Sequence, residues 1–498
     1  MALGRIVEWL ADDLVEIRHS DADVQVDGAA ISSSRVQAGD LFVAPPGASA
    51  HGAAFAAQAV AAGAVAVLTD PEGADACEES GVPVLVVPAP RAVLGELSAR
   101  IYGRPAEHMR LVAVTGTQGK TTTTRLAEAA SSAAGVPTAV IGTIGTRVNG
   151  VDVATALTTP EAPELHAMFA VMAEQGVRCC VMEVSSHALV MGRVDGVVFD
   201  VACFTNLGRD HLDFHGSEEE YFAAKASLFT PVRCRLGLVN ADDEHGRRLV
   251  GLAGEAGVPV RTFSTAGAEA DWRAEQVDAR PDGSAFTVVS PSGERLAAAV
   301  PVPGGFNVSN ALCAIAALGE AGLDAAGVAA AMGRTAGVPG RLERVDAGQD
   351  FLAVVDYAHK PDAVAAALTA LRPTTGGRLL VVLGAGGDRD TGKRPLMGEV
   401  AARLGDVLVV TDDNPRSEDA AAIRKALLEG AKGVARDDRA EVHEVGDRRA
   451  AIRLAVGLAG PGDTVVVAGK GHETGQEVAG MVYPFDDRTV LREELTAR

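Results

Sequence analysis

The sequence predicts an α/β protein of three domains with mostly parallel sheets. The chain has 498 residues, of which 47% are hydrophobic, 22% charged and 4% aromatic, a composition typical of compact α/β enzymes. At roughly 150 residues per domain, this length favours about three domains. Short apolar runs alternate with helical patterns along most of the chain, which indicates parallel strands joined by helices. The predicted domains span residues 1–107, 108–340 and 341–498.

Charge and cysteine content exclude several classes of protein. The 45 Lys and Arg residues against 66 Asp and Glu leave a net charge of −21, which repels nucleic acid and anionic lipid. The six cysteines contain no CxxC pair, so neither a zinc site nor a disulfide framework is indicated.

Residues 1–19 are predicted as one acidic amphipathic helix, unlike a secretion signal. The apolar run 53–68 is interrupted by Gln58 and Gly63 and predicts a helix followed by a buried strand. We therefore expect a cytoplasmic protein without membrane insertion.

The predicted first domain, residues 1–107, is a small α/β module. Its clearest strands are residues 40–43 and 64–68, which are short and apolar. A turn signal of Gly and Pro at 103–105 ends it.

A glycine-rich loop opens the predicted second domain. The apolar strand 111–115 leads into Gly116-Thr117-Gln118-Gly119-Lys120-Thr121, and a helical pattern follows over 121–134. Backbone N–H groups and the helix dipole bind phosphate in this context, with the lysine reaching the terminal phosphates and the threonine hydroxyl placed on Mg²⁺. Two residues separate the glycines where the common pattern has four. The alternative interpretation is a glycine turn with a solvated lysine.

Three further residues of this domain are candidates for a metal and phosphate site. Glu183 follows a buried strand near 178–182, where an acid could hold the metal of a bound nucleotide, although such an acid is usually a solvated surface residue. His211 lies beyond the strand 198–204, and a single histidine is more often structural than a ligand. Lys225 lies among apolar residues on a predicted helix, where a lysine usually extends from the helix face into solvent.

The predicted third domain alternates strands and helices with unusual regularity. Strands at 351–355, 378–383, 407–411 and 464–468 are separated by helices near 361–371, 395–403 and 419–430, a Rossmann-like pattern whose ligands bind at the carboxyl ends of the strands. Asp413-Asn414-Pro415-Arg416 follows one of these strands. Pro415 biases Asn414 towards an extended conformation, and a guanidinium matches a carboxylate through two hydrogen bonds. The alternative is a turn with a surface arginine. The glycines at 384–387 lack the full GxGxxG spacing.

Seven motifs in a fixed order resemble those of the Mur ligase family of ATP-dependent amide-forming enzymes, over essentially the whole chain. They occupy residues 115–121, 182–187, 205–213, 221–229, 304–311, 340–343 and 356–359. The resemblance implies a UDP-sugar-binding first domain, a central P-loop ATPase domain and a Rossmann-like amino-acid-binding domain. It also implies an acyl phosphate intermediate in cytoplasmic peptidoglycan precursor synthesis.

The resemblance assigns roles to residues of the second domain and the start of the third. It implies Lys120, Glu183, His211 and Lys225 as catalytic residues, with Lys225 carbamylated to N6-carboxylysine. Mg²⁺ would lie among Thr121, Glu183, His211 and Lys225. The implied ATP-binding residues are Gly116, Thr117, Gln118, Gly119, Lys120, Thr121, Thr122, Asn307, Arg341, Asp356 and His359.

Residues 413–416 resemble the motif of family members that add meso-diaminopimelate to the D-Glu carboxylate of UDP-N-acetylmuramoyl-L-Ala-D-Glu. The implied diaminopimelate-binding residues are Arg389, Asp413, Asn414, Pro415, Arg416, Gly469 and Glu473. L-Lysine lacks the distal carboxylate and would leave a desolvated Arg416 or Asn414 unpaired, at a cost of about 1–3 kcal/mol.

The muramoyl-dipeptide substrate is implied to contact the first two domains. The residues that match are Ser32, Ser34, Thr158, Thr159, Ser185, Met191 and Arg193. Met191 stands where many relatives have glutamine, and the loop at 47–52, with its contacts at 48–50, departs from their pattern. The alternatives are an L-lysine-adding ligase, a folylpolyglutamate synthetase and an ATP-binding switch without ligase activity. We expect a monomer.

Overall fold

The computed structural model describes residues 1–47, 49–208, 210–280 and 282–498. The chain divides into two compact units, Met1–Arg273 with Cys313–Val328 and Ala274–Leu312 with Ala329–Arg498. Both units are α/β with mostly parallel sheets, which confirms the predicted fold class. The predicted domain boundaries at 107 and 340 remain predictions. Within the described ranges, no helix is both long and apolar enough to cross a bilayer.

A five-stranded sheet forms the amino-terminal part of the first unit, in the order β1-β5-β4-β3-β2. Only β1 is antiparallel to its neighbour. Buried residues such as Leu41, Leu68 and Leu97 form a core on one face of this sheet. The elements are α1 (Leu3–Trp9), β1 (Glu16–Arg18), β2 (Gly28–Ala30), β3 (Asp40–Ala44), α2 (Ala56–Ala61), β4 (Ala66–Thr69), α3 (Ala74–Glu78), β5 (Val84–Val86) and α4 (Pro90–Ile101).

The single helix predicted over residues 1–19 is wrong beyond Trp9. Helix α1 ends there, and residues 16–18 form β1, which pairs with β5 in the register Ile17↔Leu85. Pairing with the sheet satisfies the backbone hydrogen bonds of this segment, and this tertiary contact overrides its helical pattern. The helix and strand predicted within 53–68 are confirmed as α2 and β4.

The second sheet of the first unit carries the phosphate-loop sequence. Eight of its strands lie in the order β13-β12-β11-β6-β10-β7-β8-β9, and the six from β13 to β7 are parallel. The elements are β6 (Arg110–Thr115), α5 (Lys120–Ala133), β7 (Thr138–Ile141), β8 (Thr146–Val148), β9 (Val151–Val153), α6 (Ala162–Glu174), β10 (Cys179–Glu183), α7 (Ser186–Val190), β11 (Val201–Phe204), α8 (Leu212–His215), α9 (Glu218–Ala226), β12 (Gly237–Asn240), α10 (Glu244–Glu255) and β13 (Val260–Ser264).

Strand β6 lies between β10 and β11, so the carboxyl ends of these three parallel strands are adjacent. This arrangement places the loop at 116–119, Glu183 and Thr205 at one edge of the sheet. Buried Leu111, Met182 and Phe204 are among the residues of the core that holds the strands in place.

The next segment of the chain contains a β-hairpin and two helices. Strands β15 and β16 pair antiparallel, in the register Phe286↔Ala298. The elements are β14 (Trp272–Arg280), β15 (Gly283–Val289), β16 (Arg295–Val300), α11 (Gly305–Glu320) and α12 (Ala325–Met332).

The third sheet lies in the second unit, in the order β17-β18-β22-β19-β20-β21, and all of its strands except β17 are parallel. Its four predicted strands and three predicted helices are confirmed. The elements of the sheet and its helices are β17 (Glu343–Arg344), β18 (Leu352–Asp356), α13 (Pro361–Leu371), β19 (Leu379–Leu383), α14 (Lys393–Leu404), β20 (Val407–Val410), α15 (Ala420–Gly433), β21 (Glu441–Glu444), α16 (Arg448–Leu458), β22 (Thr464–Ala468) and α17 (Asp487–Thr496). Strands β23 (Gly475–Val478) and β24 (Met481–Pro484) pair in a separate two-stranded sheet.

Candidate active site

The loop after β6 has the backbone conformation of a phosphate-binding loop. Gly116 has φ +145°, and a Cβ built on it would lie 2.0 Å from Oγ1 of Thr205, so this position requires glycine. The backbone N–H groups of Thr117 and Gln118 donate to the carbonyl and side-chain oxygens of Asn206, each at 2.9 Å. The segment after β11 therefore fixes the loop in place.

Lys120 begins α5 and folds back over this loop. Its Nζ donates to the carbonyl oxygens of Gly116 at 2.8 Å and Thr117 at 3.1 Å. Thr121 and Thr122 follow in the first turn and are buried. The helix N-terminus and the ammonium group thus lie at the same loop, the arrangement that binds a phosphate chain.

Glu183 is the last residue of β10, level with Val114 of β6. Its side chain is 1% exposed. The carboxylate accepts hydrogen bonds from the backbone N–H and the hydroxyl of Thr143, at 2.8 and 3.1 Å. Thr143 was not predicted, because it follows a different strand, 40 residues before Glu183. The two bonds fix the carboxylate at the strand end beside the phosphate loop.

Lys225 is buried in α9, contrary to the interpretation of a lysine that extends into solvent. Its side chain is 1% exposed, and Nζ donates to the carbonyl of Gly116 at 2.8 Å. The ammonium also lies 4.4 Å from the ring centre of Tyr221, whose hydroxyl is 3.2 Å from that of Thr117. Lys120 and Lys225 therefore both contact the carbonyl of Gly116.

His211 belongs to a cluster of aromatic rings. Its ring centre is 4.8 Å from that of His187, which lies 5.6 Å from the ring of His215. Nε2 of His211 lies 3.3 Å from the carboxylate of Asp210, and the backbone of His211 has φ +51°. Residue 209 of the same motif lies outside the described residues.

The residues expected to hold Mg²⁺ fit that ion in part. The hydroxyl of Thr121 and the carboxylate of Glu183 are the oxygen ligands that Mg²⁺ prefers. Lys225 offers no lone pair as an ammonium and would supply oxygen ligands only as a carbamate. Among the described residues, no group of three or more His, Cys, Asp or Glu side chains is arranged to hold a metal ion.

Four of the predicted ATP-binding residues lie outside the phosphate loop and its helix. Three of them, Arg341, Asp356 and His359, lie together at the start of the third sheet. The guanidinium of Arg341 stacks over the Tyr357 ring at 4.5 Å. Asp356 accepts hydrogen bonds from the N–H groups of Leu342 and Ala358, at 2.7 and 2.8 Å. Burial raises the pKa of the Asp356 carboxyl, and Arg341 opposes that rise. Burial lowers the pKa of His359 to about 3, so its imidazole is neutral.

The fourth, Asn307, lies at the start of α11 and is 1% exposed. Its amide nitrogen donates to the carbonyl of Pro303 at 2.7 Å, and its amide oxygen accepts from Asn310 at 3.1 Å. Both ends of this carboxamide thus make hydrogen bonds within the protein. A role for Asn307 in nucleotide binding remains a prediction.

Most residues expected to contact the muramoyl dipeptide form one group. The hydroxyl of Thr159 donates to the Glu183 carbonyl at 2.9 Å and accepts from the N–H of Ser185 at 3.3 Å. Arg193 donates to the Thr159 carbonyl at 3.3 Å and to the sulfur of Met191 at 3.4 Å.

The remaining predicted contacts with the dipeptide lie close to this group or follow β2 of the first sheet. The Thr158 hydroxyl is 3.2 Å from that of Thr143. The Ser32 and Ser34 hydroxyls are 3.0 Å apart. The predicted contact at position 48 lies outside the described residues.

Glu161, which was not predicted, holds two arginines at this group. One carboxylate oxygen lies 2.8 Å from Nε of Arg193, and the other accepts from Arg91 at 3.2 Å. Arg91 belongs to α4 and Arg193 follows α7, so Glu161 links helix α4 to the segment after α7 within the first unit. The sequence offered one indication of this role, because Glu161 lies two residues after Thr159, a predicted contact of the dipeptide.

The predicted amino-acid-binding residues lie at the carboxyl ends of β19, β20 and β22. The amide nitrogen of Asn414 donates to Glu473 at 2.9 Å. Arg416 pairs with Glu477 at 3.2 Å and donates to the Gly387 carbonyl at 2.6 Å. Cations and anions therefore lie side by side at this edge of the sheet.

The other predicted members of this set shape the same edge. A Cβ on Gly469, which has φ +116°, would lie 2.4 Å from a carboxylate oxygen of Asp413, so glycine is required there. The Pro415 carbonyl accepts from the N–H of Glu418 at 3.0 Å. Arg389 lies on the exposed loop after β19.

A buried ion pair holds the strand ends that carry these residues. Arg448 and Asp487 have fully buried side chains and form two hydrogen bonds of 2.7 Å. Arg448 also donates to the carbonyls of Asp412, at 3.3 Å, and Ala468, at 3.0 Å. The segments after β20 and β22 are thereby tied to one guanidinium.

Comparison with known proteins places this architecture in a family. The family models described as "Mur ligase family, catalytic domain", "Mur ligase middle domain" and "Mur ligase, glutamate ligase domain" match residues 25–102, 114–318 and 340–471.

Individual relatives match over nearly the full chain. A UDP-N-acetylmuramoyl-L-alanyl-D-glutamate–2,6-diaminopimelate ligase of Streptomyces coelicolor is 54% identical over 487 residues, covering 98% of this chain and 95% of the relative. A ligase of the same name from Corynebacterium efficiens is 49% identical over 504 residues, covering 99% and 94%. A solved structure of a ligase with this name has 33% identity and a TM-score of 0.70, covering 97% of both chains. The chain belongs to the Mur ligase family.

Proposed function

We propose that this protein is an ATP-dependent ligase that joins meso-diaminopimelate to the D-Glu carboxylate of UDP-N-acetylmuramoyl-L-Ala-D-Glu. The observation that carries the proposal is the edge of the third sheet, where Arg416, Asn414 and Glu473 lie together. A guanidinium suits a carboxylate and a carboxylate suits an ammonium, so this edge matches an amino acid with both charges. The names of the two full-length relatives support the same choice of substrates.

The phosphate loop supports the activation of a carboxylate. A carboxylate resists attack by an amine, because its leaving group would be an oxide. Transfer of the γ-phosphoryl group of ATP to the carboxylate oxygen gives ADP and an acyl phosphate. The amine then forms the C–N bond, the C–O bond to phosphate breaks, and a proton leaves the nitrogen. The products are an amide, inorganic phosphate and ADP.

The described residues near the loop fit roles in the first step. Lys120 lies where its ammonium would offset charge on the transferred phosphoryl group. Mg²⁺, held by Thr121 and Glu183 with His211 and a carbamylated Lys225, would supply further compensation of phosphate charge when bound. Arg193, held by Glu161, is suited to bind a carboxylate of the dipeptide.

Selection of diaminopimelate over L-lysine follows from the same edge of the third sheet. The distal end of diaminopimelate carries a carboxylate and an ammonium, which would pair with Arg416 and Glu473. L-Lysine has only the ammonium. It would leave the arginine desolvated without a new partner, and this costs about 1–3 kcal/mol, or roughly ten- to hundred-fold in relative efficiency.

Phosphate release with ATP, Mg²⁺ and UDP-N-acetylmuramoyl-L-Ala-D-Glu tests the proposal. We expect release to depend on meso-diaminopimelate and to be much slower with L-lysine or without an amine. Equal rates with both amines would contradict the selectivity, and release independent of any amine would indicate an ATP-binding switch. The proposal also includes a monomer that acts in the cytoplasm, which sedimentation and cell fractionation would test.

A further inference from the structure

Lys470 is a fully buried lysine that follows β22. It has no role in the steps of the proposed reaction. Its side chain is 0% exposed. Nζ donates to the amide oxygen of Asn414 at 2.8 Å and to the carboxylate of Glu473 at 3.0 Å. A carboxylate oxygen of Asp413 lies 3.8 Å away. One ammonium therefore contacts three residues of the proposed amino-acid site.

Lys470 fixes the orientation of the Asn414 carboxamide. The amide oxygen accepts from Lys470 and also from the backbone N–H of Glu477, at 3.0 Å. The amide nitrogen, at the other end, donates to Glu473 at 2.9 Å. Three contacts thus agree on one orientation. Since an amide nitrogen carries two hydrogens, the second remains for a carboxylate of a ligand.

Lys470 also fixes the position of Glu473. Both Lys470 and Asn414 donate to the same carboxylate oxygen, Oε2. The side chain of Glu473 is 32% exposed, whereas Lys470 is enclosed. The second oxygen of Glu473 is therefore left for an ammonium of a ligand.

We propose that Lys470 is a positioning residue for the amino-acid substrate. The substrate has an end group that carries both a carboxylate and an ammonium. Lys470 orients Asn414 to donate to that carboxylate and holds Glu473 to accept from that ammonium. This inference rests on the proposed function. Lys470 contacts no reacting atom, so its loss should weaken use of the amine and leave activation of the dipeptide unchanged.

The test compares Lys470→Met with Lys425→Met, a matched change at an exposed position of α15. Loss of a charged hydrogen bond typically changes affinity about ten- to hundred-fold. We expect the KM for meso-diaminopimelate to rise by about this factor in Lys470→Met, with unchanged KM values for ATP and the muramoyl dipeptide. The preference for diaminopimelate over L-lysine should also fall. Lys425→Met should behave as the wild type.

Trapping the acyl phosphate with hydroxylamine separates positioning from general damage. Hydroxylamine attacks the acyl phosphate without needing the amino-acid site, so hydroxamate formation in Lys470→Met should match the wild type. If removal of the buried charge prevents folding, Lys470→Gln, which keeps a donor towards Asn414, should show a smaller rise of the same KM.

An unchanged KM for diaminopimelate, or an equal loss of hydroxamate formation and amide formation in folded variants, would overturn the role of Lys470. The wild-type protein tests the proposed function independently of Lys470. Failure of the wild type to release phosphate in response to diaminopimelate would overturn the proposed function itself.

Discussion

Mild acid should destabilise the first unit through His166. This histidine lies in α6 with 0% of its surface exposed, and its Nε2 donates to the backbone carbonyl of Asp195 at 3.2 Å. Its ring packs edge-on against Phe169 at 6.1 Å. Burial lowers the pKa of His166 to about 4 from an ordinary value of 6.5. The folded protein therefore keeps this imidazole neutral at pH values where an unfolded chain is protonated.

The sign and size of the effect follow from that difference. Because the folded pKa is the lower one, the unfolded chain binds the proton first as the pH falls through 6.5. The contribution of His166 to the free energy of unfolding is complete above pH 6.5 and is lost between pH 6.5 and about 4. The loss in the free energy of unfolding amounts to about 1 kcal/mol at pH 5.5 and about 3 kcal/mol when it is complete.

Urea unfolding followed by tryptophan fluorescence measures this loss, because Trp9 and Trp272, the 2 tryptophans of the chain, both belong to the first unit. The control is His166→Gln, whose amide can donate to the same carbonyl but does not titrate. Between pH 7.5 and 5.5 the wild type should lose about 1 kcal/mol more stability than the variant. Equal losses in the two proteins would refute the assignment of a buried, neutral His166.

Three other substitutions test separate parts of the structure. Lys225→Ala should abolish ligase activity and regain part of it with added short carboxylates such as acetate, in a phosphate-release assay; unchanged activity would remove Lys225 from the site. Gly116→Ala should abolish nucleotide binding in a calorimetric titration without unfolding the protein, because its Cβ would overlap Thr205, and normal binding would contradict the steric argument. Asp487→Ala leaves Arg448 buried without its carboxylate and should cost about 3–5 kcal/mol in stability, seen as a lower Tm; an unchanged Tm would show that the ion pair is not structural.

Local sequence patterns predicted the parts of the molecule that depend on local forces. The apolar runs of the third sheet became strands within one or two residues of the predicted ends, since parallel strands buried on both faces have continuous runs of valine and leucine. The phosphate loop was also predicted from the local sequence, because its strand, its glycines and the N-terminus of its helix are consecutive. Strand β21 was missed, because Glu441–Glu444 is polar and lies at the sheet edge.

Contacts between distant residues could not be predicted from one sequence. Thr143 holds Glu183 from another strand end, and Lys470 reaches Asn414 across 56 positions. Nothing in the local pattern of Lys225 distinguishes a buried lysine from a solvated one, and only the packing of α9 against the loop decides it. The family resemblance supplied that assignment, whereas the residues that hold the site residues in place came from the structure.

The two parts of the proposed reaction depend on different groups of residues, and this separation has a chemical consequence. The phosphate loop and Glu183 belong to the first unit, whereas Asn414, Lys470 and Glu473 belong to the second. The first group acts on ATP and a carboxylate, and the second recognises an amine. Substitutions in the second group should therefore slow amide formation while acyl phosphate still forms. Selectivity for the amine would then be expressed after the acyl phosphate has formed. With a poor amine, total phosphate release should fall, while a larger fraction of the ATP consumed is lost to hydrolysis of the acyl phosphate.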